Sequence, residues 1–160
     1  MASRSLLDCV PELVTASPLI CNDYNALFVS QGFTLKPICT LRSSAEQLEL
    51  FKHGRVVKMV NGVPVVVSVR SKLIVTKIDG ITQFSKHNPT PLQPLSRAID
   101  FGVFKGGSYI TDDQYYEPLL DLARHYGLRS GWDFTNTGLP IEKAKRLKVF
   151  IDPPHVEVKE

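Results

Sequence analysis

Cysteine is scarce in this chain, and what there is does not pair. The three cysteines, Cys9, Cys21 and Cys39, are odd in number and show no CxxC spacing. That argues against a disulfide framework and reads as small, reduced, mostly buried side chains. Long hydrophobic runs are missing too. None approaches the length of a membrane span, which excludes membrane insertion. The opening residues, Met1 to Asp8, contain no hydrophobic signal region, so a cytosolic product is expected. Charge of one sign is barely in excess: the net charge is +3 and the pI about 8.8. With no basic run and no interleaved basic-aromatic stripe, a nucleic-acid partner is not expected, although the mild excess suits an anionic surface. What remains is 43% hydrophobic and 22% charged over 160 residues, which reads as one globular domain spanning residues 1–160.

Local signals divide that domain. Asp8 to Gly32 reads as helix in two pieces, with Ser17-Pro18 as an internal cap and Gly32 as the stop. Phe33 to Leu41 reads as a strand. Ser43-x-x-Glu46 is a capping box that opens a helix to about Gly54. Asn61-Gly62 between valine-rich runs predicts a hairpin over 56–70, either a wall of a cleft or padding on an edge. Leu73 to Ile78 is another β-branched run. Pro89 to Ser96 is a stiff loop, open to either a rim role or none. Thr111-x-x-Gln114 resembles a second capping box, and Pro118 kinks or delays the helix that ends at Gly127. Ile141 to Leu147 predicts a short basic helix, and Val149 to Val158 a last strand.

The chemistry gathers at two places, Ser85 to Asp100 and Asp152-Pro-Pro-His155. Together they offer two imidazoles and two carboxylates. His87, Asp100 and His155 form a set that can hold zinc with one position left for water. Asp152, just before a ligand, is placed to act as a general base beside the metal. Arg97 to Phe101 reads as a strand with Asp100 facing away from Ile99 and Phe101. His53 and His125 read as structural or surface groups. Arg42, at a strand end, reads either as a surface salt-bridge partner or as a cation aimed at a substrate. Trp132, the only tryptophan, reads equally as cleft lining or core.

At these residues the chain resembles the zinc D-alanyl-D-alanine and L-alanyl-D-glutamate peptidases, a family that includes bacteriophage endolysins and vancomycin-resistance dipeptidases and carboxypeptidases. The resemblance rests on Ser85-Lys-His87, Ala98-Ile-Asp100, Asp152-Pro-Pro-His155 and the upstream Leu41-Arg42-Ser43, in that order along nearly the whole chain. One departure is the linker 88–99 between His87 and Asp100, longer than the family usually has and containing Pro89, Pro91 and Pro94. Loop length of this kind costs little in closure entropy.

The resemblance implies an α+β fold, with a small, mainly antiparallel sheet carrying the ligands and helices packed on it. It implies a zinc cofactor on His87, Asp100 and His155, with Asp152 as base and Arg42 as oxyanion or carboxylate donor. Ser85 and Trp132 enter as weaker substrate contacts. The expected activity is that of an endolysin cutting the peptide stem of peptidoglycan at the L-alanyl-D-glutamate bond. The protein is expected to act as a monomer and to wait in the host cytoplasm until the membrane is permeabilised. A D-alanyl-D-alanine carboxypeptidase or dipeptidase is the alternative within the class. A non-catalytic zinc-containing wall-binding module is the alternative outside it. No separate wall-binding domain is apparent.

Overall fold

A computed structural model describes residues 2–69, 75–134, 138, 140–146 and 151–159. Its helices are α1 (Pro11–Leu27), α2 (Ser44–Lys52), α3 (Pro118–His125) and α4 (Ile141–Arg146). Its strands are β1 (Phe33–Cys39), β2 (Arg55–Val60), β3 (Val63–Ser68), β4 (Ala98–Lys105), β5 (Ser108–Ile110), β6 (Arg129–Ser130) and β7 (His155–Glu157). The fold is α+β, with a small antiparallel sheet packed against the helices.

The main sheet runs β1-β4-β7-β6, and β5 also pairs with β4. β4 is its centre, and Ala98, Ile99, Phe101 and Val103 are fully buried there. Ile99, Phe101 and Val103 share the core-facing side of this strand, and Asp100, its one charged residue before Lys105, lies on the other face. Against it pack Leu13, Ile20 and Tyr24 of α1 and Leu119 and Ala123 of α3. The β2–β3 pair forms a separate two-stranded sheet.

Several boundaries differ from the sequence reading. α1 is one helix, not two. Its proline start is Pro11, it runs through Pro18, and the buried Ser17 hydroxyl donates to the Leu13 carbonyl at 2.5 Å in place of capping a new segment. The cap before Gln114 is Asp112, not Thr111. It opens a short 3-10 turn, and Pro118 then begins α3, so the proline delays the helix and does not kink it. Leu73 and Ile74 lie outside the described residues, and Val75–Ile78 form no strand. The final strand is only His155–Glu157. Ile151 and Asp152 precede it in irregular backbone, Pro153 and Pro154 form a turn, and residues 147–150 lie outside the described set.

The capping box at Ser43 and Glu46 forms as expected. So does the Asn61-Gly62 turn, with both residues at positive φ (51° and 79°). No helix among the described residues is long and apolar enough to cross a membrane.

Candidate metal centre

Sheet register assembles the site. Cys39 pairs with Asp100 across β1–β4, and Asp100 pairs with His155 across β4–β7. Directly opposed residues on antiparallel strands project from the same face. Residues far apart in the chain therefore form one row. Glu157, two positions beyond His155, shares that face. His87 arrives from a turn outside the sheet. Ser85 holds that turn: its hydroxyl accepts the His87 backbone N–H at 3.3 Å, and its own N–H donates to the Asn88 side chain at 2.8 Å. The turn is tied to the end of β1 by Arg42 N–H to His87 C=O at 2.9 Å.

The result is a close triangle. His87 Nε2 lies 3.1 Å from Asp100 Oδ1 and 3.3 Å from His155 Nδ1, and His155 Nδ1 lies 3.0 Å from the same oxygen. Both rings are oriented from behind. His87 Nδ1 donates to the Thr40 carbonyl at 2.7 Å, and His155 Nε2 to Glu157 Oε2 at 3.0 Å. Those partners only accept, so each ring carries a proton on its outer nitrogen, and the inner nitrogen faces Asp100 Oδ1, where it either shares a further proton with the carboxylate or offers a lone pair to a metal ion. Three electron pairs facing one another repel unless a positive species sits among them. The ligand atoms of a tetrahedral zinc ion stand about 3.3 Å apart, from bonds of roughly 2.0 Å, so the triangle has the dimensions of one face of such a site. Support of each ring by a carbonyl or carboxylate is the usual arrangement for metal-bound imidazole. Among the described residues, Cys39 with His87 and Asp100, and Asp100 with Asp152 and His155, are groups that can hold a metal ion.

Electrostatics point the same way. Burial opposes charge on His87, but the Asp100 carboxylate outweighs it and lifts the imidazole to about 10. His155 is raised despite burial by its bonds to Asp100 and Glu157. Burial would raise Asp100, yet the two imidazoles hold it well below the carboxylate range. The triangle attracts positive charge. Asp152 behaves differently: burial and then the nearby Asp100 charge push its carboxyl up, against the pull of the imidazoles and Arg42.

Asp152 is placed by a turn in which His155 N–H donates to Asp152 C=O at 3.0 Å. That turn lies on Gly131, whose backbone bonds Asp152 N–H at 3.0 Å and His155 C=O at 2.7 Å. A Cβ on Gly131 would collide with the Asp152 carbonyl, so only glycine allows this approach. Arg42 donates to Asp100 Oδ2 at 3.3 Å, to Cys39 Sγ at 3.2 Å and to Gln47 Oε1 at 2.9 Å. Gln47 in turn bonds the Ile78 carbonyl at 2.9 Å.

Arg42, Gln47, His87, Asp100, Asp152 and His155 line a cleft of about 880 Å³, and Ser85 is part of its wall. Trp132 is not, which corrects the cleft alternative. Its ring is 1% exposed and its Nε1–H donates to the Tyr116 carbonyl at 3.0 Å, so it belongs to the core. The Pro89–Ser96 loop is likewise absent from the lining. It ends in Ser96, whose buried hydroxyl donates to the Thr40 carbonyl at 2.8 Å, so the long linker is taken up by docking. His53 caps the end of α2 and His125 packs edge-on to Tyr126, both apart from the triangle.

Sequence reasoning missed four participants: Thr40, Cys39, Gln47 and Glu157. Only Glu157 carried a usable signal, the two-residue spacing from His155 within a strand. No family model matches this chain, and no curated protein matches it.

Proposed function

We propose that this protein is a zinc peptidase of the D-alanyl-D-alanine and L-alanyl-D-glutamate type, acting as a bacteriophage endolysin on the peptide stem of peptidoglycan. The observation that carries the reading is the triangle of His87, Asp100 and His155 with a raised carboxyl, Asp152, grouped with two of its members. Two nitrogens and one oxygen, each imidazole supported from behind, fit zinc. The chemistry a bound zinc ion supplies is Lewis acidity: a polarised scissile carbonyl and a water whose pKa falls toward about 7.

The chain's own residues do the rest. Asp152 takes a proton from the attacking water at its carboxylate and returns it to the leaving amine, a role suited to a carboxyl whose pKa is raised. Arg42 holds Asp100 in place, and its guanidinium has more N–H donors than its partners Asp100, Cys39 and Gln47 take up, leaving capacity for a substrate oxygen. Ser85 fixes the turn that presents His87. The L-alanyl-D-glutamate bond is the proposed site of cleavage. The protein acts as a monomer that reaches the wall from the host cytoplasm once the membrane is permeabilised.

The test is digestion of purified peptidoglycan by the zinc-loaded protein and by Asp152→Asn, with mass analysis of the new termini. New amino-terminal glutamate is expected, with a loss of at least about 100-fold in the variant at unchanged zinc content. Released D-alanine would instead identify the carboxypeptidase. Wall binding without hydrolysis by either protein would identify a non-catalytic module, and equal rates would remove Asp152 from the mechanism.

A further inference from the structure

Among the described residues, four cations line the cleft: Arg42, Lys86, Arg97 and Arg129. Three of them already face carboxylates within it. Arg42 Nη2 lies 3.3 Å from Asp100, Lys86 Nζ lies 3.6 Å from Glu157, and Arg129 bonds Glu157 through Nε at 2.6 Å. Arg97 is different. Among the described residues its side chain makes no ion pair and no hydrogen bond.

Its backbone, by contrast, is held at both ends. Arg97 N–H donates to the Lys86 carbonyl at 2.8 Å, and its own carbonyl accepts from Val158 N–H at 3.0 Å. The residue is half-buried, three positions from Asp100 at the entry to β4. A fixed backbone under an uncommitted guanidinium is a prepared anion donor, because arginine presents a planar fork that matches a carboxylate. Among the described residues the lining carries three carboxylates, Asp100, Asp152 and Glu157, against those four cations. A divalent ion at the triangle makes the cleft strongly positive, which favours an anionic ligand.

We propose that Arg97 is a specificity-determining residue that anchors a carboxylate of the substrate, so that the preferred peptide carries an acidic group close to the bond that is cut. The identity of that bond rests on the peptidase reading. The preference for an acidic ligand rests on the cleft alone.

The experiment measures binding, so that it does not depend on turnover. Zinc-loaded wild type and Arg97→Gln are titrated calorimetrically with D-glutamate, the acidic side of the proposed bond with no peptide bond to cut, and with its diamide. Wild type should prefer the acidic probe by about tenfold or more, the size expected of a charge-assisted hydrogen bond. Arg97→Gln should lose most of that preference while binding the diamide as before. Arg97→Lys should keep part of it, and Arg97→Met, made in parallel, gives a second reading if the glutamine variant misfolds. Equal binding of the two probes by wild type overturns the proposal. So does an undiminished preference in variants whose zinc content and melting temperature match wild type. Failure of wild type to cut peptidoglycan would overturn the peptidase reading separately, and the titration would still decide the role of Arg97.

Discussion

The β2–β3 hairpin and the β1-β4-β7 corner of the main sheet are both antiparallel and both rich in β-branched residues, yet they do opposite things. The hairpin exposes Met59, Val60, Val63 and Val66 at 49–66% of their surface, and none of its described side chains lines the cleft. It is tethered at its base, where Arg55 lies 4.0 Å over the Phe51 ring and donates to the Phe51 carbonyl. At the corner, Ile99, Phe101 and Val156 are fully buried, and in the same strands Asp100 and His155 face each other. The difference is burial. With one face packed, a slip of one residue would turn Asp100 and His155 into the core, so register there is strongly specified. Nothing comparable constrains the hairpin beyond its turn.

The largest effect should come from breaking the row itself. Asp100→Ala or His155→Ala removes one corner of the triangle. Elemental analysis should then show most of the zinc lost and hydrolysis abolished, with retained zinc counting against the triangle. Glu157→Gln sharpens the comparison one step back, because it withdraws the charge behind His155. Metal affinity should fall by about 10- to 100-fold, measured by competition with a chelator.

The same carboxyl predicts a pH effect. Burial would raise Glu157, but its bond to His155 and the charges of His155, Lys86 and Arg129 hold it down to about 2 in the folded chain, against 4.5 ordinarily. Its stabilising contribution is therefore present above about pH 4.5 and fades as pH falls toward 2. The gap in melting temperature between wild type and Glu157→Gln should close over that window, and a constant gap would count against the ion pairing.

Gly131→Ala should cost about 1–3 kcal/mol in denaturant unfolding through overpacking against the Asp152 carbonyl. It should also lower hydrolysis, because the turn carrying Asp152 must move. The smallest effect belongs to the hairpin. Met59→Ser, at a 66% exposed position, should change stability by no more than about 0.5 kcal/mol and leave zinc affinity unchanged. A larger loss of zinc there would mean that the two regions are coupled.

Local chemistry was legible in advance wherever a few neighbouring residues settle it. The capping box at Ser43 and Glu46, the Asn61-Gly62 turn and the alternation that turns Asp100 away from Ile99 and Phe101 are of this kind. Where neighbours compete, the reading failed or stayed open. Pro18 stays inside α1 because packing of Leu13, Ile20 and Tyr24 holds the helix across it. Trp132 became core because Tyr116, sixteen positions away, offers its carbonyl.

The sequence by itself marked out candidate donors, two imidazoles and two carboxylates, with His155 close to Asp152 across Pro153-Pro154. Those facts depend on residue type and short spacing. Only the tertiary structure decided that Cys39, Asp100 and His155 share one row, that Thr40 and Glu157 orient the two rings, that Gly131 supports Asp152 and that the Arg97 side chain, among the described residues, lines the cleft without a partner. The reason is sequence distance. Strand register, and therefore which side chains meet across the sheet, is set by the burial of a whole face and not by any local run of residues.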